Sequence, residues 1–200
     1  MTGADGERPS PIPDPEQLIA DIRREFPTFE LVRKRQSRFA RAIDIALRIV
    51  TLNAQREFLT RYHTVLFGKL YLPDAWDTTP DVARLITLCH ERIHLRQRRR
   101  YGDFLMTFLY LIPFFPLGLA YGRARMEWEA YTETLRATAQ YSGIEAVRSP
   151  ALREYIVRQF VSGAYGWMWP FPRVVRRWYD AALADIERRV VRPEHRENTS

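Results

Sequence analysis

The sequence predicts a mostly α domain of the α+β kind, helical except for a small β-hairpin placed just before its central helix. Three observations carry this. Apolar residues recur at helical spacing over residues 80–100, 123–141 and 173–190. A single stretch, residues 57–72, is rich in β-branched and aromatic residues around a glycine. Prolines and glycines fall between the helical stretches, where they do not break a helix. Two hundred residues, 46% of them hydrophobic, suffice for one domain with its own core. That single domain is assigned residues 15–191. A Pro- and Gly-rich tail at 1–14 reads as disordered, and residues 192–200 read as a polar tail.

Taken in order, residues 15–26 read as a short helix closed by Pro27. A longer helix is expected over 28–50, with Leu31, Ala40, Ile43, Leu47 and Val50 on its apolar side. Residues 57–72 follow as the hairpin. Tyr62, Thr64, Val65, Leu70, Tyr71 and Leu72 favour strand, and Gly68 favours the turn. Its edge either takes an extended peptide or only covers the core. Thr79, Pro80 and Asp81 then make a helix start: a cap, a first-turn proline and a carboxylate at the positive end of the dipole. The helix over 80–100 is expected to turn Ala83, Ile86, Cys89 and Ile93 toward the core and to stop at Gly102.

Residues 104–122 carry no charge over nineteen positions, close to a membrane-spanning length. Pro113 and Pro116 divide the run, so it reads as a buried helical hairpin; peripheral contact with a membrane is the other reading. Residues 123–141 read as an amphipathic helix. Ser149 and Pro150 start a helix over 150–163. Tyr165 to Pro172 read as an aromatic turn, either a core plug or the wall of an apolar pocket, before a last helix over 173–190.

The formal charge is +7, and Lys34 and Lys69 are the only lysines. The arginines are spread over several helices and no nucleic-acid motif accompanies them, so nucleic acid is not an expected partner. Cys89 is the single cysteine, which excludes an internal disulfide; a small core residue is its expected role. The N-terminus has no apolar signal core, so a cytoplasmic location is expected, with membrane association as the alternative.

The chemistry concentrates in Leu88-Cys89-His90-Glu91-Arg92-Ile93-His94-Leu95, which contains H-E-x-x-H. On a helix, His90 and His94 lie one turn apart, about 40° from each other, and two such imidazoles can hold one zinc ion. Glu91 is rotated by about 100° from His90, where it can reach a metal-bound water without binding the metal. A catalytic zinc needs a third ligand and an open position. Glu127 and Glu129 are the nearest downstream candidates. They point about 200° apart on a helix, so only one can face the metal. Glu127 falls among Ala124, Trp128, Ala130, Tyr131 and Leu135, whereas Glu129 shares its side with Arg125, Glu133, Arg136 and Gln140. A carboxylate on an apolar face needs a partner, which is either a metal or an arginine. A donor to the oxyanion is also needed; Tyr131, Tyr165 and His63 are candidates, and His63 is otherwise a structural or surface histidine.

His90-Glu91-x-x-His94 followed by Glu127-Trp128-Glu129-Ala130 resembles gluzincin-type zinc metallopeptidases. The second segment is similar to the E-[aromatic]-E-A-D segment of the CAAX prenyl protease and its bacterial membrane-protease relatives. The stretch from His90 to Gly102 and the later Glu127 to Tyr131 also resemble a group of small bacterial metallopeptidase-like proteins. The resemblance covers about residues 80–141. It implies a helical zincin-like domain that binds Zn²⁺ through His90, His94 and Glu127. It further implies Glu91 as general base and a peptide or protein as substrate. Tyr131 stands where the prenyl-protease pattern has Asp, so the support behind its histidines differs. Hydrolysis of a non-peptide amide or ester, and a non-catalytic module stabilised by metal or contacting lipid, are the rival readings.

Overall fold

The structure, a computed structural model, describes residues 12–34, 64–66, 68–111, 119–162 and 168–191. Several expectations lie outside those residues. They are the tail at 1–11, positions 35–50 of the second expected helix, His63, the middle of the uncharged run at 112–118, Tyr165 and the tail at 192–200.

Helix α1 (Pro15–Glu25) starts where Asp14 accepts a hydrogen bond from the Glu16 amide at 2.9 Å, with Pro15 in the first turn. It buries Ile19 and Ile22, and the chain leaves it through Phe26 and Phe29. At the start of the second expected helix, the part of it that is described, the chain is extended instead. Glu30–Arg33 is a strand, β1, which pairs in parallel with β3 (Lys69–Leu72), Leu31 opposite Leu70 and Val32 opposite Tyr71. The pairing gives the backbone groups of residues 30–33 partners along a strand whose other side is already occupied, and this outweighs a weak helical preference. Strand β2 (Thr64–Leu66) pairs antiparallel with β3, so the expected hairpin is present but belongs to a three-stranded sheet of order β1-β3-β2. β3 is therefore central, and the strand that leads toward the helix of His90 and His94 offers no free edge. Gly68 makes the turn with φ +78°, and a Cβ there would run into the Arg98 guanidinium.

A 3₁₀ turn over Asp74–Thr78 buries Trp76 and delivers the chain to α2 (Asp81–Leu111). The Thr79 hydroxyl does not cap α2; it donates to the Ala75 carbonyl at 2.8 Å and finishes the 3₁₀ turn. Gly102, at φ 79° and ψ 161°, breaks α2 as expected, but the chain resumes helical form beyond it. The buried face of α2 is also not the expected one. Leu85, Leu88 and Leu95 are buried, while Ala83, Ile86, Cys89 and Ile93 are only half-buried. The cause is that α2 is covered from two directions, by α1 and the sheet on one side and by α3 (Leu119–Ser142) on the other. A one-sided apolar stripe does not describe such a helix.

The remaining helices among the described residues are α4 (Ile144–Arg148), which was not anticipated, α5 (Pro150–Val161) and α6 (Pro172–Val191). Pro150 opens α5 as expected, but the Ser149 side chain makes no capping bond. Tyr179 on α6 donates to the Val147 carbonyl at 2.5 Å, tying α4 to the core, and burial pushes its phenol up to about 12. Met168 is buried and the Trp169 ring stacks on Trp178, so these two residues of the aromatic turn pack on the core, while Phe171 is exposed.

Among the described residues the buried apolar side chains form two clusters. One joins Ile19, Ile22, Phe26, Leu70, Leu72, Trp76, Leu88 and Leu95. The other joins Trp128, Tyr131, Leu135, Ile156, Phe160 and Tyr179, among others. Each fully buried Leu, Ile or Phe contributes about 1.5–3 kcal/mol. Between the clusters runs the seam of α2 and α3, where the buried polar residues Glu91, His94, Gln97, Glu127 and Thr138 are found. The expectation of a buried hairpin over 104–122 fails in its described part, because Phe104 is 86% exposed and Leu105 41%. Among the described residues no helix is long and apolar enough to cross a membrane.

Candidate metal centre

α2 and α3 lie antiparallel across the seam, since His90 meets Thr134 while Gln97 meets Met126. This brings the two histidines of α2 opposite Glu127 of α3. His90, His94 and Glu127 form a group whose ligand atoms lie within 4.8 Å of one another. His90 Nε2 and His94 Nε2 are 3.2 Å apart, and Glu127 Oε2 is 3.9 Å from the first and 3.7 Å from the second. A point equidistant from the three atoms is about 2.1 Å from each, the bond length of zinc to imidazole nitrogen and carboxylate oxygen.

The hydrogen bonds on the far side of each ring explain why the Nε2 atoms converge. Gln97 Nε2 donates to the Met126 carbonyl and to Glu129 Oε2, both at 2.9 Å, which leaves Gln97 Oε1 as the acceptor facing His94 Nδ1 at 2.9 Å. His94 therefore donates from Nδ1 and carries its lone pair on Nε2. Thr134 donates its hydroxyl proton to the Ala130 carbonyl at 3.2 Å and accepts from His90 Nδ1 at 2.9 Å. His90 takes the same tautomer. With both rings in that tautomer two lone pairs face each other beside a carboxylate, a donor set that can hold a metal ion.

Glu91 sits beside this group but outside it, 7% exposed. Burial pushes its carboxyl up to about 7; the field of His94 opposes the rise, Glu127 adds to it, and Lys34 opposes it. Lys34, just after β1, is fully buried. Tyr131, one turn after Glu127, packs its ring edge-on against His90 with centroids 4.9 Å apart. Glu129 is exposed and holds Gln97. Cys89 is half-buried and points elsewhere: burial first, then the charge of Glu133, pushes its thiol up to about 11, and Tyr141 hydrogen-bonds to it.

Sequence reasoning missed Gln97, Thr134 and Lys34. The first two had a readable signal. Gln97 is three residues after His94, and Thr134 is seven after Glu127, so each shares a helix face with a member of the His90, His94 and Glu127 group. Lys34 had none, because its burial depends on an unexpected strand. No protein family, curated protein or solved structure matches this chain.

Proposed function

We propose that the protein is a zinc-dependent hydrolase acting on peptide bonds, with His90, His94 and Glu127 as ligands and Glu91 as general base. The observation that carries the reading is the convergence of two Nε2 lone pairs and one carboxylate, with a second carboxylate beside them and outside the ligand set. A zinc ion held there supplies Lewis acidity and lowers the pKa of a bound water. The residues of the chain do the rest. Gln97 and Thr134 fix the tautomers, so both rings keep a lone pair for the ion. Glu91, held in a dry setting, takes the water proton and returns it to the leaving amine. Tyr131, against His90, is the described candidate for a donor to the oxyanion. The resemblance to gluzincin-type peptidases over residues 80–141 supports the peptide as substrate; a panel of peptides beside small amides and esters tests that choice.

A second reading has its own observation. Glu91, His94 and Glu127 are each 7% exposed or less, which also suits a metal that only holds α2 to α3. The deciding experiment is zinc analysis together with hydrolysis assays on the purified protein, on His90→Ala and on Glu91→Gln. Stoichiometric zinc lost in His90→Ala supports the metal centre. Hydrolysis lost in Glu91→Gln with zinc retained supports the enzyme, and zinc without any hydrolysis supports the structural reading.

A further inference from the structure

The end of the α2–α3 pair beyond the metal centre has a composition unlike the rest of the surface. Just before and after the Gly102 break stand Tyr101, 41% exposed, Phe104, 86% exposed, and Leu105, 41% exposed. Tyr121, near the start of α3, is 45% exposed. The antiparallel pairing brings Tyr101 to the same end as Arg125, which borders one groove with it. These side chains belong to the nineteen-residue stretch without charge, or adjoin it. Arg96, Arg99, Arg100 and Arg125 are exposed around them. Glu25 pairs with Arg96 and lies near Arg99, Asp103 pairs with Arg98, and Glu129 and Glu133 border the groove with Arg136, so the acidic groups at this end are present but fewer than the basic ones.

We propose that this end of the molecule docks on the surface of an anionic lipid bilayer. Phe104 and Leu105 enter the acyl boundary, and Tyr101 and Tyr121 sit at headgroup level, where rings with one polar end are favoured. The arginines face the acidic headgroups and supply the charge complementarity that a neutral membrane lacks. The attachment is peripheral, since among the described residues no helix is long and apolar enough to cross. An anionic bilayer fits because the exposed apolar side chains stand among basic groups that outnumber the acidic ones, and the Arg100 guanidinium lies over the Tyr101 ring at the edge of the patch. Tyr101 is two turns beyond His94 on the same helix, so docking holds the metal centre about 10 Å from the headgroups. This inference does not depend on whether the centre is catalytic.

The test is flotation of the full-length protein with vesicles of phosphatidylcholine alone and of phosphatidylcholine with about 30% phosphatidylglycerol, at low and high salt. The protein should float with the anionic vesicles, more weakly at high salt, and stay behind with the neutral ones. Phe104→Asp combined with Leu105→Asp should lower the floated fraction about tenfold or more, with circular dichroism and zinc content unchanged. Both side chains are exposed, so the core is not at stake. Arg99→Glu with Arg100→Glu should remove the preference for anionic lipid. Failure of the parent protein to float with anionic vesicles overturns the proposal, as does equal flotation of the Asp variant. A vesicle-free dimer that the Asp substitutions dissociate would also overturn it, by assigning the patch to a second copy.

Discussion

Gln97 Nε2 donates to the Met126 carbonyl at 2.9 Å, one residue before Glu127 in the chain. One amide thus orients His94, binds the backbone beside Glu127 and holds Glu129. Gln97→Leu should lower zinc affinity by about 10- to 100-fold, the usual scale for losing the support behind a ligand. Competition with a chromogenic chelator measures it. Unchanged affinity with a lowered melting temperature would reduce Gln97 to a packing role.

Glu91→Gln separates base from ligand. Zinc content should stay near that of the parent protein, and hydrolysis should fall by at least ~100-fold. A variant as metal-poor as His94→Ala would show that Glu91 binds the ion.

Glu127→Ala and Glu129→Ala are predicted to diverge, because the first side chain is buried against the histidines and the second is exposed. Glu127→Ala should abolish tight zinc binding. Glu129→Ala should keep the metal and cost about 0.5–1 kcal/mol, the worth of its bond from Gln97. Chelator competition and melting curves with and without chelator read both effects. The opposite pattern would place the third ligand on the other side of α3.

Glu25 gives a prediction about acid. Its carboxylate accepts from Arg96 Nε at 2.9 Å and from Arg92 Nε at 2.6 Å, and these partners, Arg96 foremost, hold its pKa at about 2. A carboxyl depressed on folding stabilises above its unfolded pKa, and the contribution is lost as pH falls through the folded value. Glu25→Gln should therefore cost on the order of 1–2 kcal/mol at neutral pH, after screening, and the difference from the parent should close between about pH 4.5 and pH 2. Denaturant melts across that window measure it. A pH-independent difference would attribute the effect to packing.

What the sequence disclosed and what it hid follow from the range of the interactions involved. His90, His94 and the direction of Glu127 are fixed by helical phase, a local property, and the structure shows Glu127 buried and Glu129 exposed as that phase requires. The hairpin was readable from Gly68 and the β-branched residues around it. β1 was not, because Glu30–Arg33 is a strand only by virtue of β3, some forty residues away. The buried face of α2 was misjudged for a related reason: two neighbours cover the helix, and an apolar stripe reports only one. The exposure of Phe104 defeats composition altogether, since an apolar residue is expected inside until its surroundings are known.

His94 and Glu127 lie on different helices, about thirty residues apart in the chain. An ion bound to both closes that stretch into a ring, and a ring of about that size removes chain entropy from the unfolded state worth about 3–4 kcal/mol. Secreted chains obtain such a link by oxidising two thiols. This chain has the single thiol of Cys89 and cannot do so within itself. Its link would need no oxidant, would form wherever zinc is supplied, and would be undone by chelation rather than by reduction.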